Sequence, residues 1–259
     1  MRLAETQAAF FALTFGEGAA QLEDLRLRET SGATVGRRIE HYRRANFGKA
    51  SYGLSVAFPK TAAACGGAGY LQLLKDYFAQ PVRERQTRWR LLRGLPPFLR
   101  QTAARWGRAD LADLAELELA RAQVAEDVAE PIELRAVLAL GPGGLAATRL
   151  RFVPAVRLLS LASDVFALWQ ALEDGQAPPT PRLSPSAVLV WQHRLSVFHS
   201  PLGRHEANAL ARALAGAPLA QVFEGFVGSD DPGTRAHAAL VTWFSDGLIA
   251  AIEEPPSSS

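Results

Sequence analysis

The chain has one cysteine, Cys65, in 259 residues. A lone thiol excludes an internal disulfide and any zinc site built from several cysteines. Its surroundings, TAAACGGAG, hold no base to activate a thiolate, so Cys65 reads as a small apolar residue near a turn. Long apolar runs are lacking too. No uninterrupted stretch reaches the roughly 18 residues of a membrane span. The N-terminal patch MRLAETQAAFFALTFGEG is broken by Glu5 and Gln7, unlike a secretory leader. A cytoplasmic protein with no membrane partner is expected. Also missing are GxSxG, Walker A and GxGxxG, and the GPGG at 141–144 lacks the Lys-Ser/Thr of a phosphate loop. Histidines are few, at 41, 193, 199, 205 and 237, and His205-Glu206 starts no HExxH. His193 and His199 would share a sheet face only on one continuous strand, and a turn is expected between them. No catalytic residue, no bound cofactor and no metal ligand is therefore expected.

Apolar residues make up 48% of the chain, enough for a core, and they fall in short amphipathic groups. The net charge of +2 hides an asymmetry. Residues 1–130 hold 19 Lys/Arg and 15 Asp/Glu, whereas 131–259 hold 9 and 11. The excess lies in Arg37 to Lys60 and in Arg83 to Arg108, where eight arginines face only Glu84.

The first half reads as helices. Leu3, Gln7, Phe10 and Phe11 share one helical face, and Val35, Ile39, Tyr42, Asn46 and Phe47 another. Pro59 marks a boundary. Gly66, Gly67 and Gly69 predict a loop before a helix carrying Tyr70, Leu71, Leu74, Tyr77 and Phe78. Pro96-Pro97 predicts a turn, and Asp110 an N-cap for a long helix with Leu111, Leu114, Leu117, Leu119 and Val124 inward. Past about residue 128 the texture changes. Leu134 to Leu140 is short and apolar. Thr148 to Leu161 alternates, broken by Pro154, which predicts an edge or bulged strand. Ser163 is placed as the cap of a short helix. Val188–Trp191 and Leu195–Phe198 read as a hairpin. Helices are expected over 204–215, 218–226 and 233–252. The predicted class is α+β: an all-helical N-terminal domain over 1–130, and a smaller domain over 131–254 with a short antiparallel sheet and helices. Residues 255–259 are expected to be a disordered tail.

Arg83, Arg85, Arg88, Arg90 and Arg93, with Trp89 among them, have the composition of a nucleic-acid face, or of a solvated helix face that meets an acidic protein surface. Trp169 and Trp191 sit inside periodic patterns, as core residues do.

Several stretches taken in order resemble bacterial proteins of the HvfC and MbnC type, whose N-terminal helical domain is named for DNA binding. They are Leu3, Gln7, Phe10 and Phe11; then Ile39, Tyr42, Arg43, Asn46, Leu54, Phe58 and Pro59; then Leu91, Gly94, Pro96, Phe98 and Leu99. LADLAELELARA at 111–122, VPAVRLLSLASDVFALWQA at 153–171 and VLVWQHRLSVFHSPL at 188–202 extend the likeness over about residues 3–250. Two positions depart from it: GGAG at 66–69 replaces a glycine–glutamate pair, and Leu119 replaces an aromatic. The resemblance implies a non-catalytic partner subunit. It would bind a multi-iron TIM-barrel oxidase and the leader of a ribosomally made precursor peptide, presenting the core peptide (a cysteine) for oxidation. The iron would belong to the partner enzyme. Strand addition to 148–161 or 188–199 would hold the leader. Arg149, Arg151, Arg157, Trp191 and His193 are the candidate peptide-binding residues, although the arginines read equally as solvent-exposed. Arg83, Arg88, Arg90 and Arg93 are the candidates for the enzyme-facing surface. The alternative is a DNA-binding transcriptional regulator.

Overall fold

The computed structural model describes residues 35–80, 88–127, 130–132 and 145–253. Arg83, the helix expected near Leu3–Phe11, GPGG at 141–144, the segment 134–140 and the tail 255–259 lie outside the described residues. The described chain is α+β: helices with two small antiparallel sheets. It divides into two compact units, one of 1–115 with 171–178 and one of 116–170 with 179–259.

The described part of the first unit is helical. Helix α1 is Val35–Ala57 and α2 is Pro59–Phe78. Pro59 opens α2 at a position whose N–H would have no helical acceptor. Tyr70, Leu73, Leu74 and Tyr77 form the i, i+3, i+4, i+7 stripe that α2 buries. The loop expected at Gly66–Gly69 shrinks to one non-helical residue: two helical runs meet in a kink at Gly66 (φ 69°, ψ 160°), a conformation only glycine takes readily.

Helix α3, Arg88–Gln101, continues past Pro96 and Pro97, where a turn was expected. Leu92, Leu95, Phe98 and Leu99 are buried around the two prolines, and this burial outweighs the lost backbone donors. Tyr77 donates its hydroxyl to the Leu91 carbonyl at 2.7 Å, one turn before the prolines. Gly94 permits that approach, because a Cβ there would fall 2.3 Å from the Tyr77 oxygen.

Short α4 is Ala103–Trp106, and α5 is Leu111–Val124. Helix α5 is buried nearly all round, with Leu111, Ala112, Leu114, Ala115, Leu117, Ala120 and Val124 enclosed. Asp110 precedes it, and Arg108 grips the Asp110 carboxylate with two hydrogen bonds, at 3.1 and 2.7 Å. Arg100 reaches the buried Asp113 at 3.5 Å. Paired carboxylates are the form in which a buried helix tolerates acidic residues.

In the second unit, Pro154 divides the alternating stretch into two strands of different sheets. β1, Arg149–Phe152, pairs antiparallel with β5, Ile249–Glu253. β2, Val156–Leu161, pairs with β3, Ser186–His193, and β3 pairs with β4, Ser196–Leu202. Between β2 and β3 lies α6, Val165–Glu173. The Asp164 carboxylate accepts from an amide of its first turn (Ala167, 3.3 Å). Helix α7 is Arg204–Leu214, α8 is Leu219–Phe223, and a 3-10 turn covers Glu224–Phe226.

Helix α9, Pro232–Ser245, is capped by Asp231, which accepts from the Thr234 amide. The expected helix over 233–252 stops there. Gly247 takes φ 72°, and the amides of Gly247 and Leu248 turn back to the carbonyls of Phe244 and Trp243. This left-handed exit redirects the chain into β5. Trp243, Phe244, Leu150, Leu210, Leu219, Val222 and Ile249 are buried in this unit.

Candidate functional site

The three-stranded sheet has the order β2-β3-β4, so β4 lies at an edge and no described strand pairs with its outer side. Residues alternate between the two faces. On one face, register aligns Arg157, Val190 and His199, and also Leu159, Val188 and Pro201. Val188, Val190 and Gln192 are buried there. On the other face, register aligns Val156, Trp191 and Phe198, and also Leu158, Leu189 and Ser200. Val156 and Leu189 are buried at its centre, and the face opens toward β4. At that opening Trp191 and Phe198 stack as a cross-strand pair, ring centres 5.6 Å apart and planes 27° apart. Phe198 is 45% exposed.

A two-residue turn joins the strands. Arg194 and Leu195 both have positive φ, 46° and 67°. The geometry suits a hairpin, but asparagine and glycine are the residues that normally accept it. Leu195 is 94% exposed at the tip.

The face that buries Val190 carries a second aromatic group. Trp169 lies 4.6 Å from the His199 ring and Phe166 6.0 Å from it. The Arg121 guanidinium sits 5.0 Å from the Trp169 ring centre. Arg121 also reaches His199 Nδ1 at 2.8 Å. Arginine can only donate, so Nδ1 is the acceptor in this contact.

A titratable group lies where α7, α9 and the end of β3 meet. His193 donates from Nδ1 to the Asp246 carbonyl at 3.0 Å. Burial raises the Glu206 carboxyl above its ordinary range; the Trp243 indole N–H lowers it, and the Asp246 charge raises it further. That buried N–H faces Glu206 without a hydrogen bond of good geometry. Burial also raises Asp246, against the charge of His193. No group of three or more His, Cys, Asp or Glu side chains among the described residues could hold a metal. No described helix is long and apolar enough to cross a membrane.

The residues singled out from sequence do not form one patch. Arg149 and Arg151 are on β1, in the other sheet. Arg149 donates to the Gly216 carbonyl, and Arg151 lies 3.6 Å from Glu253 across the strand pair. Arg157 is on the face opposite Trp191 and forms an ion pair with Asp127 at 3.0 Å. Trp191 and His193 share the more open face of β3. Arg88, Arg90 and Arg93 are exposed on α3, and Arg88 and Arg93 both lie against Trp89, at 5.6 and 5.9 Å. Sequence reasoning passed over Phe198 and Arg121, read Trp169 as core, and weighed His199 only as a metal or catalytic companion of His193. The hairpin register carried a signal for Phe198, since a turn at 194–195 sets it opposite Trp191. Compared with protein-family models and with curated proteins, the chain matches none.

Proposed function

We propose that this chain is a non-catalytic, cytoplasmic partner subunit. It binds a multi-iron TIM-barrel oxidase and holds the leader of a ribosomally made precursor peptide, whose core cysteine the partner's iron oxidises. In this reading the N-terminal helical domain supplies the enzyme-facing surface and the sheet-bearing domain holds the leader. The observation that carries it is the outer edge of β4, to which no described strand is paired. Edge amides and carbonyls are a template for an extended peptide. Holding a flexible leader there would remove much of the entropy cost of bringing the core peptide to a reactive centre. The chain's part is grip and placement, consistent with side chains at the sheet that stack and pair with one another.

The test is co-expression with the neighbouring barrel enzyme and the precursor. The expected result is co-elution at low salt, with amide exchange at 196–200 slowed by the precursor. Separate elution, with exchange at 196–200 unchanged, would overturn the proposal.

A further inference from the structure

We infer that a large apolar side chain of the leader, borne on an extended segment along the outer edge of β4, seats on the Trp191–Phe198 stack and fixes the register of binding. This rests on the reading of the chain as a leader-holding subunit, and it names what the leader must carry.

The backbone dictates the occupant's conformation. Among the described strands β4 is outermost, so a segment completing it must be extended. Pro201 has no N–H to offer, which confines full pairing to about residues 196–200. Side chains then dictate its sequence. In a strand laid beside β4, the residue opposite Phe198 would bring its Cβ within about 5 Å. Trp191, one strand further in, backs Phe198 with a nearly parallel ring. The neighbours of Phe198 on the same face of β4 are Ser196 and Ser200, both small. The edge therefore offers one broad aromatic seat between two shallow positions. A leader residue with a large apolar side chain fits the seat, with small or polar residues two places to either side.

Charge is a poorer source of register. Arg149, Arg151 and Arg157 each engage a partner within the chain, and none lies on the face that carries Phe198. Phe198 stacks on Trp191 and is still 45% exposed, so much of its ring remains free to meet an apolar side chain from outside the fold.

Two labelled octapeptides with the same solubilising tail provide the test. One carries a single central phenylalanine among alternating serine and threonine, and the other has serine in place of that phenylalanine. The full chain is expected to bind the first about tenfold tighter or more, since an aromatic pair with its burial is worth that much. Both should slow exchange at 196–200. Phe198→Ser should abolish the preference while lowering the melting temperature only by the loss of the Trp191 stack, and Phe198→Leu should keep most of it. Equal affinities with 196–200 protected by both peptides would overturn the apolar seat while leaving strand addition standing. A preference that survives Phe198→Ser would place the seat elsewhere and overturn it too. A dimer of this chain protecting the same amides without peptide would assign the edge to a second copy. If neither peptide nor the natural precursor protects 196–200, the leader-holding reading itself fails.

Discussion

At the scale of single residues, the clearest energetic cost is an acid in the wrong solvent. Glu206 is half-buried in the first turn of α7, and burial raises its carboxyl above the ordinary 4.5. The folded state therefore holds that proton more tightly than the unfolded chain. The contribution to stability is fully present below pH 4.5 and is lost as pH rises through the folded value. Glu206→Gln is expected to be more stable than the parent at pH 7 and close to it near pH 4. Urea midpoints between these values should fall with pH in the parent and fall less in the variant, where Asp246 still titrates. An equal gain at both ends would show that ionisation is not the cause. No pattern in the sequence marks this group. In the sequence Glu206 is one acid at a helix start, and only its burial and the nearby Asp246 charge make it costly.

At the scale of elements, what could be read depended on how local the deciding physics is. The β3–β4 hairpin was legible because period-two alternation is a local signal, and so were α2 beyond Gly66 and α5. The Pro96-Pro97 pair was misread because propensity opposed a burial supplied by Leu92, Leu95, Phe98 and Leu99, whose enclosure no local rule reveals. β5 was misread as helix because Ile249–Glu253 is too short to show a period, and its partner β1 lies about 100 residues earlier. Of the candidate site, Trp191 and His193 were found on the open face of β3. Phe198 needed the exact pairing across the turn, and the destinations of Arg149 and Arg157 needed the tertiary path of the chain. The turn itself is weaker than it could be. Replacing the pair by Arg194→Asn and Leu195→Gly fits the positive φ angles and should raise stability by about 1–2 kcal/mol. The shift in urea midpoint at unchanged slope measures it, and no gain would mean that the Arg194-Leu195 backbone is not strained.

At the scale of the whole molecule, the two units are interwoven in sequence. Helix α5 begins in the first unit and ends in the second, and α6 begins in the second and ends in the first. A helix cannot melt over half its length at little cost to the remainder. Unfolding in urea is therefore expected as one transition, with tryptophan fluorescence and far-ultraviolet circular dichroism superimposing. Two resolved transitions would show that the shared helices do not couple the units. The same interweaving bears on how the protein is made. Lys60 finds its carboxylate partner at Glu173, within the 171–178 piece that completes the first unit. While a ribosome has released only the first 150 or so residues, that unit still lacks part of itself. The helical half cannot finish ahead of the half that follows, and the nascent protein must wait for a late strip of chain before either portion is whole.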